Sequence, residues 1–425
     1  MEERFSGNRV DEIRPDAPDL APYGRYAVGA RTMRFTNPGQ FDIAAAEPGA
    51  PLPVGDRTLA VELWYPAADE PAAPGSCAYE GVVTRDGATK VTLRGRAIRD
   101  ARAESKGGPF PLVILSHGYP GNRFIMCHLG ENLASKGYVV ASIDHPDSTY
   151  DDLGAFASTL YHRPLDQAFI LGALANLNRD GLGTGLEGLI DADRAGLVGY
   201  SMGGYGVINA IGGGFSPHIA KSPIAPPELL LARLQAGNPE YEASLDPRIK
   251  AAIAIAPWGW PNGFWNRSGL AAIKTPTFFM AGSADTTVGY SPGVRTIFEY
   301  CAGAERYLLT FENAGHNAIA PIPAPGEVVA DPGPSAKYWK HYMDPVWDAA
   351  RSNNIAQHFA TAFFGKYLKG DAEAATYLEL SERAKEDRGP ADRKEQAAQG
   401  SPAWKGFSVR NATGLRLEHR EPAGE

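Results

Sequence analysis

A serine hydroxyl attacks a carbonyl only when a base removes its proton, and that base needs a carboxylate to orient it. Residues 196–206, GLVGYSMGGYG, hold a serine in a suitable setting: Gly199-Tyr200-Ser201-Met202-Gly203 is a G-x-S-x-G pattern. The pattern has meaning only in context, and here a strand-like run, AGLVGYS, precedes it and a helix-like run, MGGYGVINAIGG, follows. Glycines two places away on each side suit a sharp strand-to-helix turn, where side chains would collide with neighbouring backbone. The competing reading is a glycine-rich packing turn with no chemistry, and the flanking elements favour the nucleophile.

In that arrangement the order along the chain is serine, then acid, then histidine. MAGSADTTV places Asp285 just past one strand, and FENAGHNA places His316 just past the next. Both positions lie beyond the carboxyl ends of strands, where open α/β sheets bind ligands. His316 is one of nine histidines, and it alone lies in the loop after the last predicted strand, behind Ala-Gly. Asp144 and Glu312 compete with Asp285. Asp144 precedes the serine, which is the wrong order, and Glu312 stands on the strand end only four residues before His316. His117, His145 and His162 raise the question of a metal, but no H-x-x-x-H spacing or Cys/His cluster supports one, and His117 reads as a brace for its loop. The attack also needs N–H donors for the oxyanion. Met202, at the start of the following helix, is one candidate, aided by the helix dipole. The other comes from the loop SHGYPGN, where Tyr119 is the choice; its side chain also offers a wall for the acyl pocket.

The elements that must position these groups alternate. FPLVILSHG, YVVASIDHP, AGLVGYS, RIKAAIAIAPW, TPTFFMAGSAD and RYLLTFEN read as strands. Between them, FIMCHLGENLASKG, PLDQAFILGALANLNRD from Pro164, MGGYGVINAIGG and GVRTIFEYCAG read as helices. Apolar strands alternating with helices predict an α/β fold with a mostly parallel sheet covered on both faces. Upstream, RTLAVELWYPA alternates like an antiparallel strand, and GVVTRDGATKVTLRG reads as a hairpin with Asp86-Gly87 at its tip. Residues 1–55, rich in proline and glycine, read as a surface-wrapping segment, 56–370 as the catalytic domain and 371–425 as a C-terminal extension. Two insertions, about 215–247 and 320–350, exceed plain connections and read as lid-like or as surface decoration. NNIAQHFATAFFGKYLKG predicts a long helix packed on the sheet, and SERAKEDRGPADRKEQ a solvated stretch.

Composition narrows the partners. The chain has 425 residues, 44% of them hydrophobic and 21% charged, with a formal net charge of −8. That balance offers no basic footprint for nucleic acid or an anionic membrane, and no run approaches a membrane span. Three cysteines make no disulfide framework, and Cys127 and Cys301 read as small buried residues in helices. The first twenty residues lack an apolar signal core, so the expectation is a cytoplasmic protein acting on a small molecule. Nothing in the pattern sets an oligomeric state.

Together these residues resemble the α/β-hydrolase superfamily. The likeness is narrower to platelet-activating-factor acetylhydrolase-like and dienelactone-hydrolase-like esterases and to bacterial cutinases or polyester hydrolases. YAVGARTMRF and LAVELWYPA are similar to that group's N-terminal strands, LSHGYPGNR to its oxyanion loop and LVGYSMGG to its elbow. RIKAAIAIAPW, KTPTFFMAGSADTTV and AGHNA are similar to its closing third. The resemblance implies a metal-independent serine esterase needing no cofactor, with Trp258 where polyester hydrolases keep an aromatic against substrate; a core-capping role competes. Trp260, Phe264, Trp265, Tyr338, Trp339 and Tyr342 are further candidates for an apolar pocket wall or for core. Departures matter as well. Dienelactone hydrolases proper use cysteine where this chain has Ser201, and APWGW carries no acid after the earlier strand, which favours Asp285. The polyester hydrolases are compact and secreted, which with the two insertions here favours a small intracellular ester over an extracellular polymer. The expected reaction is ester hydrolysis through an acyl-enzyme, with amide, lactone or C–C bond cleavage as alternatives on the same groups. A hydrolase-fold protein that only binds a ligand is the alternative of another class.

Overall fold

The computed structural model describes residues 7–180, 184–330, 334–384 and 404–423. The six apolar runs form six neighbouring parallel strands: β6 (Phe110–Ser116), β7 (Val139–Asp144), β8 (Ile190–Tyr200), β9 (Ile249–Ile255), β10 (Thr277–Gly282) and β11 (Arg306–Phe311). Every residue of β6 is buried. Successive side chains of a strand point to opposite faces. Thus Leu112 and Ile114 join one apolar cluster, Val113 and Leu115 the other. The first cluster includes residues of α2 (Phe156–Asp180), α3 (Met202–Ala210) and α6 (Arg295–Tyr300), and the second residues of α1 (Cys127–Ser135) and α8 (Ala349–Lys369). Helices on both faces explain why these strands are continuously apolar rather than alternating.

The parallel core is extended at both edges by antiparallel strands. β2 (Val54–Ala67) pairs with β7, and β1 (Ala27–Phe41) with β2. A two-residue β5 (Ile98–Arg99) joins β1, and β12 (Leu415–Arg420) pairs with β11. The sheet order is β12-β11-β10-β9-β8-β6-β7-β2-β1-β5. The hairpin with Asp86-Gly87 at its tip forms from β3 (Cys77–Val83) and β4 (Lys90–Gly95). The reading of residues 1–55 as surface wrapping is corrected over β1, which pairs with β2 from Ala27 to Phe41. Pro38 and Gly39 sit where that register shifts, so the turn-like composition marks an irregularity in a strand. Likewise, β12 lies in a stretch read only as an extension.

Helix α2 begins eight residues before the expected start at Pro164, which stands inside it. Proline lacks the N–H that would bond the carbonyl four residues back, at Leu160. The Tyr205 hydroxyl donates to the Leu160 carbonyl at 2.8 Å, so that acceptor is satisfied from a neighbouring helix. The first insertion contributes Leu230, Leu231 and Leu234 to the core, together with Tyr241 of α4 (Pro239–Ser244). After β9 the chain forms α5 (Arg267–Ala271); the second insertion contains α7 (Gly326–Ala330), and α9 (Ala372–Thr376) follows α8. Most of the charged stretch read as solvated, from 385 on, lies outside the described residues. No helix among the described residues is long and apolar enough to cross a membrane. Cys127 and Cys301 are buried and unpaired.

Candidate active site

The turn between β8 and α3 holds Ser201 at φ 53° and ψ −111°. A non-glycine residue takes such a conformation only under constraint, at a cost of about 1–3 kcal/mol. The constraint is visible. The Ser201 N–H donates to the Ile255 carbonyl at 2.8 Å, and its own carbonyl accepts from Tyr205 at 3.0 Å and Trp258 at 3.1 Å. The flanking glycines permit the turn to close. A Cβ on Gly199 would stand 2.2 Å from the Gly203 carbonyl oxygen, and one on Gly203 would stand 1.9 Å from that of Ser116. Any side chain there pushes apart α3 and the end of β6.

Loops after β10 and β11 carry the other two groups. His316 Nε2 lies 3.0 Å from Ser201 Oγ, and His316 Nδ1 lies 2.7 Å from Asp285 Oδ2. The second carboxylate oxygen of Asp285 accepts from the Thr287 and Val288 N–H groups at 2.8 and 3.1 Å. Burial pushes the Asp285 pKa up, but the hydrogen bond from His316 and those two N–H groups outweigh it and hold it below the ordinary value. Asp285 is therefore ionised at neutral pH. Ser201 is largely buried, with 9% of the residue exposed. The two competing acids are engaged elsewhere: Asp144 pairs with Arg123, and Glu312 with Arg383 and Arg416.

The histidine loop is clasped from several sides. The Tyr200 ring lies 5.3 Å from the imidazole, and its hydroxyl donates to Asn317 Oδ1 at 2.6 Å. From the second insertion, Asp344 accepts the Gly315 N–H at 2.7 Å, and the Lys340 carbonyl accepts from Asn317 at 2.9 Å. Tyr200 and Asp344 were not foreseen, since no spacing in the chain links them to His316.

For the oxyanion donors, Met202 opens α3 directly after Ser201. The loop of Tyr119 passes close by, since a Cβ on Gly118 would stand 3.4 Å from Ser201 Cβ. Among the described residues, neither the Tyr119 nor the Met202 N–H has a hydrogen-bond acceptor. Beside them runs a line of rings. Tyr119 meets Phe156 at 5.0 Å, Phe156 meets Trp258 edge-on at 5.7 Å, and Trp258 rests on Phe264 and Tyr205. Phe156 is the member sequence reading missed. Trp260 packs instead on Tyr300 at 5.2 Å, and Phe264, Trp265 and Tyr342 are buried. Trp339 is exposed, and Tyr338 lies beneath the Arg85 guanidinium.

Directly behind this site stands a second, unforeseen chain of the same groups. Ser116 Oγ lies 2.9 Å from His145 Nε2, and His145 Nδ1 lies 2.9 Å from Asp166 Oδ2. All three are about 1% exposed. Asp166 is also held in a two-point grip by Arg57, at 2.8 and 3.0 Å. Burial, helped by the charge of Arg163, pushes the His145 pKa down to about 3. Burial would raise the Asp166 pKa, but Arg57 and His145 hold it well below the usual range. The His145 N–H donates to His117 Nε2 at 3.2 Å, and Arg163 donates to the His117 carbonyl. His117 thus braces its loop, the one that carries Tyr119.

A solved ferulic acid esterase from Streptomyces cinnamoneus shares this architecture, with a TM-score of 0.56 and 23% identity, over 84% of this chain and 94% of that one. The chain has an α/β-hydrolase fold. Within this fold, residues 59–164 match the family model of platelet-activating factor acetylhydrolase, isoform II. Cutinase 2 of Thermobifida cellulosilytica is 25% identical over 174 residues, 41% of this chain and 47% of that protein. Bis(hydroxyethyl) terephthalate hydrolase of Streptomyces coelicolor is 25% identical over 214 residues, 49% of this chain and 51% of that protein. The chain thus spans about half the length of the curated relatives it matches.

Proposed function

We propose that this α/β-hydrolase cleaves carboxylic esters through an acyl-enzyme. Ser201 Oγ attacks the carbonyl carbon while His316 Nε2 takes its proton, and Asp285 keeps the imidazole in the right tautomer and stabilises its charged form. The tetrahedral oxyanion is met by the N–H groups of Tyr119 and Met202, each such donor contributing about 3 kcal/mol to the barrier reduction. Collapse expels the alcohol, which receives the proton from His316. Water then attacks the acyl-enzyme with His316 again as base, and Ser201 leaves with its proton restored. No step calls for a cofactor.

The observation that carries this reading is the unbroken contact from Ser201 Oγ through His316 to Asp285, at 3.0 and 2.7 Å, on a strained elbow. Similarity to proteins named cutinase, bis(hydroxyethyl) terephthalate hydrolase and ferulic acid esterase supports esters as the substrate class. The Tyr119–Phe156–Trp258 line supports a small ester with an apolar or aromatic acyl group, because flat rings recognise flat or apolar partners. A hydrolysis screen tests the reading: p-nitrophenyl esters of graded acyl size against matched anilides, with Ser201→Ala as blank. Ester turnover abolished in the blank is expected; anilide turnover exceeding ester turnover, or an unaffected blank, overturns it.

A further inference from the structure

At the opposite end of the parallel strands, where β6 begins at Phe110, a cleft of about 530 Å³ opens between Arg25, Tyr26, Phe110, Lys136, Arg194 and Lys369. The seven residues of β6, at about 3.3 Å each, put it about 20 Å from Ser201. Four basic side chains and, among the described residues, no carboxylate line it, in a chain whose net charge is −8. Their existing partners leave charge over. Arg194 pairs with Asp191 at 2.5 Å. Arg25, Lys136 and Lys369 form no ion pair among the described residues, although Asp371 stands near enough to Lys369 to favour its charge. The Lys136 amine points inward, onto the Leu20 carbonyl and the Asn132 and Thr361 side chains, the last two at 2.6 and 2.9 Å; burial and the charge of Lys369 push its pKa well down, so it offers the cleft neither a free donor nor a dependable charge.

Arg25 and Lys369 do keep free donors. Arg25 spends one N–H on the Tyr26 hydroxyl at 2.7 Å, and Lys369 spends one on the Lys136 carbonyl at 2.6 Å. Burial, followed by the charges of Arg194 and Arg25, pushes the Lys369 pKa down to about 8 against the pull of Asp371. Cations gathered so closely repel one another, and a bound oxyanion removes that penalty while accepting charge-assisted hydrogen bonds. The cleft also has an apolar side: the Tyr26 and Phe110 rings meet edge-on at 5.3 Å, flanked by Pro109 and Pro111.

We propose that this cleft is a binding site for a small organic phosphate, its phosphoryl oxygens on Arg25, Arg194 and Lys369 and a flat apolar body against Tyr26 and Pro109, which Phe110 backs from within. The site is independent of the ester chemistry, so its test does not depend on Ser201. Calorimetry on the Ser201→Ala chain at constant ionic strength uses phenyl phosphate and inorganic phosphate as probes. One-site saturable binding of phenyl phosphate is expected, with inorganic phosphate weaker by about fivefold for want of the ring. Lys369→Gln and Arg25→Gln each weaken phenyl phosphate by about tenfold or more, Lys369→Arg retains most of the affinity, and ester hydrolysis by the otherwise unaltered chain changes less than about twofold. Absence of saturable binding up to about 10 mM, or equal affinity in the Gln variants, overturns the site. Equal affinity for the two probes overturns the apolar half of the proposal.

Discussion

Two serine–histidine–aspartate chains stand back to back in this molecule, with the same atoms in contact at the same distances within 0.2 Å. What separates them is everything around those contacts. Ser201 sits on a strained elbow with 9% of the residue exposed, beside two N–H groups that have no acceptor among the described residues. Ser116 ends a strand in the closed interior, where no carbonyl carbon can reach it. With its pKa pushed down to about 3, His145 is too weak a base to take the Ser116 proton and drive it as a nucleophile. Asp166 spends its charge on Arg57 rather than on an imidazolium. On the proposed function, the same connectivity only positions groups in the interior, while free N–H donors and a less buried base turn it into chemistry at Ser201. The inner chain's task is mechanical: through His117 it fixes the loop of Tyr119.

The sharpest way to break this contrast is to remove each hydroxyl. Ser201→Ala is expected to lower kcat/KM by about 10⁵-fold or more. Ser116→Ala should lower it by less than about tenfold, while leaving His145 Nε2 unsatisfied at a cost of about 1–3 kcal/mol. Steady-state kinetics with a p-nitrophenyl ester, set beside urea melts, separates the two. A Ser116→Ala variant as inactive as Ser201→Ala, yet equally stable, contradicts the assignment.

Changing the acids follows. Asp285→Asn leaves the fold but presents the wrong tautomer, and a drop in kcat of about 10⁴-fold is expected. Asp166→Asn leaves the buried Arg57 with its longer ion pair to Asp147 and the Pro146 carbonyl, so about 3 kcal/mol of stability should go instead. The effects should land on different axes, rate in one case and melting in the other.

Acid sharpens the comparison further. The folded His145 value, about 3, lies below its ordinary value of 6.5. Below pH 6.5 the unfolded chain binds a proton that the folded chain refuses, so stability is full above that pH and falls as the pH drops toward 3. Between pH 6.5 and 5 this one group accounts for about 2 kcal/mol. Buried His128 and His358, also pushed down to about 3, act in the same direction. Urea titrations from pH 7.5 to 5 should therefore show a shallower slope in His145→Gln than in the parent chain. An unchanged slope removes the claim that His145 is neutral in the fold.

The smallest effect belongs to the ring line. Phe156→Ala is expected to reduce kcat/KM for an aromatic acyl ester by about two- to tenfold, and less for acetate. Comparable losses for both esters would mean that Phe156 supports the loop of Tyr119 rather than touching substrate.

The outer groups were legible because each follows an apolar strand directly: Ser201 after β8, Asp285 after β10 and His316 after β11. Topology delivers such residues to one rim of the sheet, and the strands declare themselves by composition. The inner chain was invisible for the opposite reason. Asp166 lies in mid-helix and Arg57 in an antiparallel strand, and no local pattern announces a contact made across 109 residues. Strand β1 was obscured by its Pro38-Gly39 irregularity, and β12 by its short, charged sequence LRLEHR. The start of α2 was misplaced because Pro164 reads as a first-turn residue. Only the fold reveals that Tyr205 takes over the abandoned carbonyl. Asp344, which holds the loop of His316, lies in an insertion whose composition says only that it is long.

The most direct measurement is mass mapping after reaction with a fluorophosphonate, which marks a serine activated by a neighbouring base. A single adduct on the peptide bearing Ser201, lost in Ser201→Ala and kept in Ser116→Ala, is the outcome this account requires. An adduct on Ser116, or none on Ser201 in a chain that still hydrolyses esters, would contradict it.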